Sequence, residues 1–246
     1  EAMCGAATTG CDNIAIGACA GKSMTNGCRN VFLGMQAGCS NAGGVSNVAI
    51  GPFVGKGITS GGCNVIIGME ASTGALTGGN NIIFGCKTAA CLISGDKNIY
   101  MGPHAAKLQC SGNNNIALGD CAMLGSGTFS DATAKCNIAI GIDSLCSINE
   151  GCRNIAIGEG AGKAITNSNN SILIGRDAGK ALTASQNNVY IGAEAGKSDT
   201  DGQANVFIGC CTGYLFDGGT GNVIIGHASG VAFTTGNDPI GAVAIG

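Results

Sequence analysis

Two stretches of the chain carry residues that elsewhere do phosphate chemistry. They are Gly192-Ala-Glu-Ala-Gly-Lys-Ser198 and Gly17-Ala-Cys-Ala-Gly-Lys-Ser23. A phosphate-cradling loop needs four residues between its glycines and a helix after them, so that backbone amides surround the phosphates. Here three residues intervene, and the same Gly-Lys word recurs at Lys56, Lys163 and Lys180. A word repeated along a chain marks a structural turn, so no nucleotide cofactor is expected. His104 and His227 are the only histidines, and neither belongs to a nucleophile–base–acid set. The chain is not expected to be an enzyme.

The fifteen cysteines are the other reactive group. No paired Cys-x-x-Cys knuckles suggest zinc. Disulfides are the better expectation, with Cys11–Cys28 first, and Cys86–Cys91 and Cys210–Cys211 as local alternatives. The acidic residues form no recurring column for calcium. The threonine column (Thr25, Thr59, Thr166, Thr183, Thr200) is interrupted by Ala42, Leu76, Ile93, Cys110 and Gly127, which counts against an ice-binding array. No cofactor or metal is expected.

The elements that must position these groups come from a repeat. The word Asn-(Ile/Val)-x-(large apolar)-Gly starts at Asn13, Asn30, Asn47, Asn64, Asn81, Asn98, Asn115, Asn137, Asn154, Ser171, Asn188, Asn205, Asn222 and Ala242. The spacing is 17 residues, except 22 before Asn137 and 20 before Ala242. The insertions fall near 125–135 and 235–239, in polar, turn-like sequence. With Asn as position 1, position 2 is always Ile or Val and position 4 is always Ile, Leu, Met or Phe. Position 5 is always Gly (Gly17, Gly34, Gly51, Gly68 and onward). β-Branched residues at period two make a strand, and the following Gly permits a turn.

One short strand per repeat cannot bury an apolar face alone. Parallel stacking of copies solves this. The expected fold is therefore all-β: a parallel β-solenoid of fourteen 17-residue repeats forming one repeat domain over residues 1–246. At about 4.8 Å per rung, fourteen rungs predict a rod of roughly 65 Å. The asparagines should stack as an amide ladder, and the glycines as a second column. A helical reading fails because each interior Gly costs about 1 kcal/mol and the 3.6-residue pattern is missing. Small residues at positions 8 and 9 (Ala161 and Gly162, for example) predict tight packing against a neighbour.

Composition narrows the partners. Gly is 45 of 246 residues, Trp is absent, and the net charge is −3. That balance excludes a strongly basic nucleic-acid binder, and no apolar run approaches the length of a membrane span. Position 3 is uncharged in every repeat, so the strand is apolar on both faces and should be buried on both. One face can meet the chain's own core. The other needs either a second layer from the same chain or another chain. A homo-oligomer, most simply a trimer, is the expectation. The final rung would run on smoothly into the first, which points to a piece of a longer fibre or to end-to-end stacking of subunits.

Copies such as Asn154-Ile-Ala-Ile-Gly-Glu-Gly-Ala-Gly-Lys and Asn47-Val-Ala-Ile-Gly resemble repeats of phage tail fibres and of trimeric autotransporter adhesin heads. The resemblance covers almost the whole chain and implies a trimeric, left-handed parallel β-roll. The unit here is longer than the usual adhesin-head unit, and its cysteine content departs from both families. The functional expectation is a structural fibre on a virion, on a cell surface or outside the cell. The alternatives are an adhesin binding a cell-surface glycan or protein through its turn columns, and a self-assembling extracellular filament subunit.

Overall fold

The protein was analysed as a computed structural model, which describes residues 9–126, 132–230 and 240–246. It is an all-β parallel β-solenoid with one three-residue strand in each of fourteen repeats. Two compact units are present. The first contains Glu1–Asn115 and Gly127–Thr133; the second contains Ile116–Ser126 and Ala134–Gly246. Cys4 and most of the two insertions lie outside the described residues.

Unit 1 holds β1 (Ile14–Ile16), β2 (Val31–Leu33), β3 (Val48–Ile50), β4 (Val65–Ile67), β5 (Ile82–Phe84) and β6 (Ile99–Met101). Unit 2 holds β7 (Ile116–Leu118), β8 (Ile138–Ile140), β9 (Ile155–Ile157), β10 (Ile172–Ile174), β11 (Val189–Ile191), β12 (Val206–Ile208), β13 (Val223–Ile225) and β14 (Val243–Ile245). Inside each unit a strand pairs with its sequence neighbours in parallel and without slippage. Val48 sits beside Val65 and Ile155 beside Ile172, for example. The N–H of position 2 donates to the position 1 carbonyl of the next rung, as Val48 does to Asn64 at 2.8 Å. The N–H of position 5 donates back to position 4 of the rung before, as Gly51 does to Leu33 at 2.8 Å.

The corners are laddered too. Positions 7 and 17 adopt left-handed backbone in rung after rung, as in Phe53 (φ 57°), His104 (φ 56°) and Arg153 (φ 59°). L residues avoid this region at a cost of roughly 1–2 kcal/mol each. It persists here because the turned N–H reaches the rung behind, as Phe53 reaches the Met35 carbonyl at 2.8 Å and Arg153 the Lys135 carbonyl at 3.1 Å. An unpaired buried amide would cost as much as the strain.

The core lies inside each coil and is made by positions 3, 8, 9 and 12. Phe32, Ile66, Tyr100, Leu173, Tyr190 and Phe207 at position 3 are fully buried. So are Ala37, Ala71 and Ala195 at position 8, and Ile58, Ile165 and Leu182 at position 12. Position 9 closes over position 3. A Cβ at Gly38 would fall 2.6 Å from the Phe32 ring, and one at Gly213 would fall 2.8 Å from the Phe207 ring. The small residues expected to pack tightly thus pack against a side chain of their own coil. The possibility that a further segment of the same chain covers the second strand face is not met: that face, formed by positions 2 and 4, remains half-exposed.

Candidate functional site

The asparagine column is the most regular polar feature, and it is fully buried from Asn30 to Asn115. Each side chain works in two directions. Asn64 Nδ2 donates to Asn47 Oδ1 at 3.0 Å and to the Gly78 carbonyl of its own rung at 3.0 Å. Its Oδ1 accepts from Asn81 N–H at 3.0 Å and Asn81 Nδ2 at 2.9 Å. The column starts at Asn13, whose Oδ1 takes the Asn30 N–H at 2.9 Å, and Asn47 and Asn98 repeat the pattern. The amide ladder was legible in the sequence. The second bond, which ties the strand entrance to the return turn at position 15, was not. Ser171 interrupts the column in unit 2, where its hydroxyl accepts from Asn188 N–H at a longer 3.4 Å.

The glycine column runs alongside. Gly17, Gly34, Gly51 and Gly68 hold φ between 132° and 137°. A Cβ on Gly51 would lie 2.9 Å from the Gly68 carbonyl oxygen, and one on Gly17 would lie 2.5 Å from that of Gly34. The conformation and the close approach each require glycine.

Within each unit the outward strand face carries two ladders at positions 2 and 4, in which every residue is aliphatic, Phe or Met. Ile82, Met101, Ile157 and Ile208 keep 36–42% of their surface exposed. The corner residue at position 6 differs between the units. In unit 1 it is Ala18, Met35, Pro52, Met69, Cys86 and Pro103; in unit 2 it includes Asp120, Glu159, Arg176 and His227.

Three lysines of the Gly-Lys words, Lys163, Lys180 and Lys197, lie on one turn column of unit 2 and are paired with acids, whereas Lys22 and Lys56 stand at the same position in unit 1. Lys163 meets Asp143 at 2.9 Å, Lys180 meets Asp177 at 3.0 Å, and Lys197 meets Glu194 at 3.3 Å. Arg176 bridges to Glu194 at 2.8 Å on the next rung. Burial pushes the Asp177 carboxyl up, but Lys180, Lys197 and Arg176 outweigh it and hold the group below its ordinary range. A cation held by a carboxylate of the position 7 column, as each of these three is, is poorly placed to receive a phosphate. The word is a corner, as its repetition indicated.

Among the described residues, Asp199 is the one buried acid without a cation. It accepts from the Tyr190 hydroxyl and from the amides of Gly202 at 2.9 Å and Gly218 at 3.0 Å. Burial nevertheless raises its carboxyl to about 6. It stands at position 12, where most rungs place an apolar residue. The reason is the Tyr at position 3 of the same rung, whose hydroxyl needs an acceptor. Asp201 and Asp217 bring carboxylate oxygens within 4.8 Å of that of Asp199, but Asp199 is already engaged as an anchor of two corners.

The fourteen described cysteines are free thiols, so none of the expected bridges is formed in this structure. Cys11 and Cys28 are nevertheless in contact, with the Cys11 N–H 3.2 Å from Cys28 Sγ. Hydrogen bonding between the two thiols raises that of Cys11 and lowers that of Cys28. Cys210 Sγ lies 3.3 Å from Cys211 Sγ. Cys86 and Cys91 are half-buried. Among the described residues no helix is long and apolar enough to cross a membrane.

Comparison with protein-family models, with curated proteins and with solved structures found no match.

Proposed function

We propose that this chain is a structural fibre segment, working outside the cell, on a cell surface or on a virion. One observation carries the reading: the bonding capacity of the chain is spent between rungs. Buried amides, corner N–H groups and the position 5 glycine column all connect a rung to its neighbours, the pattern expected of a module that resists bending and pulling. Side chains with chemical potential are drawn into the same pattern. Lys197 is held by Glu194 and Asp177, and Asp199 by Tyr190 and two amides. The exposed strand face suits self-association and offers no polar contacts for a small ligand.

Negative-stain electron microscopy of the purified chain tests the reading. Stiff rods of constant width are the expected result. Compact particles without a long axis would overturn it. Glycan-array screening of the same material separates scaffold from adhesin, since a scaffold gives no specific signal.

A further inference from the structure

We propose that Cys11 and Cys28 are a redox-active thiol pair: Cys28 captures a low-molecular-weight disulfide, and Cys11 then displaces the captured half, leaving a bond between the turns that enter β1 and β2. The proposal goes beyond the scaffold reading and stands on separate observations.

Both residues occupy position 16, two places before the asparagine, on consecutive rungs of unit 1. The corner ladder stacks their backbones. The Arg29 N–H donates to the Cys11 carbonyl at 2.9 Å, and the Ser46 N–H to the Cys28 carbonyl at 2.9 Å. The same column in unit 2 pairs as parallel bridges, from Lys135 to Cys152 and from Cys152 to Asn169. Neighbours in such a ladder are about 4.8 Å apart, inside the roughly 4.4–6.8 Å between Cα atoms that a disulfide spans. The side chains already converge. Cys28 Sγ accepts the Cys11 N–H at 3.2 Å, and the two thiols hydrogen-bond to each other. Cys11 is exposed and Cys28 half-buried, so a small disulfide can reach them from solvent.

The pair is unequal, and the inequality sets the order of events. Cys28 Sγ receives two donors, the Cys11 thiol and the Cys11 N–H, and the Arg29 charge lies nearby; together they hold its thiol below the ordinary range. The same thiol–thiol bond pushes Cys11 up. The thiolate is the attacking form. Cys28 therefore gives its proton to water and attacks one sulfur of the small disulfide, whose other half leaves as a thiolate and is protonated. Cys11 then loses its proton and attacks Cys28 Sγ, and the captured half leaves in the same way. Two cysteine thiols give up two hydrogens, and one small disulfide is reduced to two thiols. Other cysteines lack this arrangement. Cys152 has Lys135 and Asn169 as its column neighbours. Burial pushes up the thiols of Cys91, Cys121 and Cys146, and the hydrogen bond with Cys210 pushes up that of Cys211.

Oxidised glutathione added to the reduced full chain, followed by alkylation and peptide mass mapping, tests this. In the wild type the first bond is expected to be Cys11–Cys28, with no glutathione retained on either residue. Cys11→Ser should keep glutathione on Cys28, whereas Cys28→Ser should take it up on Cys11 at least about threefold more slowly. Polar residues fill the same column at Asn169, Gln186 and Thr220, so both serine variants should keep the circular dichroism spectrum of the wild type. The bond closes a loop of one rung, and amide exchange at Arg29 should slow by about a hundredfold until a reductant restores it. Cys11 and Cys28 left unjoined in the oxidised wild type, a bond from either to Cys4 or Cys63, or equal uptake by the two variants would each overturn the proposal. So would Cys11–Cys28 forming first in the chain unfolded by guanidinium, since sequence proximity and not the fold would then select it. None of these outcomes bears on the shape of the particles, which tests the scaffold reading separately.

Discussion

Replacing Asn64 by alanine isolates the contribution of one rung to the ladder. The change removes four hydrogen bonds: two donated by Nδ2, to Asn47 Oδ1 and the Gly78 carbonyl, and two accepted by Oδ1 from Asn81. The losses are unequal. Asn47 Oδ1 keeps the Asn64 N–H at 3.0 Å, and Asn81 Nδ2 keeps the Gly95 carbonyl at 2.8 Å. The Asn81 N–H and the Gly78 carbonyl lose the partner that the side chain supplied, next to a fully buried column. Stranding a buried polar group costs about 1–3 kcal/mol, so the variant should lose about 2–5 kcal/mol locally. Hydrogen exchange is the suitable assay, because a repeat fold opens by segments and a single melting temperature would average over them. A loss near 3 kcal/mol corresponds to exchange of the Asn81 amide accelerated by about a hundredfold. Asn64→Ser should fall between wild type and alanine, since a serine hydroxyl still accepts from the next rung, as Ser171 does from Asn188. The reasoning is refuted if Asn64→Ala leaves the Asn81 amide within about threefold of its original rate, or if serine is as damaging as alanine.

The interrupted column predicts the converse: Ser171→Asn adds an amide facing Asn154 Oδ1 and the position 15 carbonyl of Ser185, and should raise the stability of unit 2 by about 1–2 kcal/mol in denaturant titration. Gly141→Ala combines a φ of 130° with a Cβ placed 2.6 Å from the Gly158 oxygen; a loss of more than about 3 kcal/mol is expected, and near-normal protection of the Gly158 rung would contradict it. Asp199 makes stability depend on pH. Its carboxyl is raised from 3.8 to about 6 in the fold, so the folded chain binds the proton more tightly than the unfolded one, and unit 2 should gain stability as pH falls from about 6 towards 4, by roughly 3 kcal/mol at most. Asp199→Asn should flatten that slope, and an unchanged slope would assign it to another group.

The strands and both ladders could be read from the repeated word, because a three-residue β-branched run followed by Gly has few other uses. Which face turns inward could not. Positions 2, 3 and 4 are all apolar, so alternation gives no sign. A volume rule was available and was missed: the largest side chains at position 9, Met123 and Leu145, occur where position 3 is only alanine (Ala117, Ala139), whereas Phe32, Tyr190 and Phe207 face Gly38, Gly196 and Gly213. That reciprocity means the two positions share one space, the core. Pairing of Tyr190 at position 3 with Asp199 at position 12 of the same rung was a second unread signal. The left-handed corners were hidden for a different reason. Asn80, Asn114 and Asn170 suit that geometry, but Cys19, Phe53 and His104 hold it only because the neighbouring rungs impose it. The cysteine pairs were placed by column arithmetic, which brings Cys11 to Cys28 but says nothing of whether sulfur bonds to sulfur.

Because most bonds between rungs lead to a residue 16 to 18 places away, in the same way from rung to rung, the upper surface of one rung is interchangeable with that of another. A gene that duplicates or deletes one whole repeat splices like onto like, and the product should fold without any compensating change. Losing a fraction of a repeat instead throws every downstream column out of alignment. The number of stacked rungs is therefore quantised, with extra residues accommodated only outside the columns as in the 22- and 20-residue repeats, and unequal recombination between its own repeats is a ready route by which its reach can be lengthened or shortened.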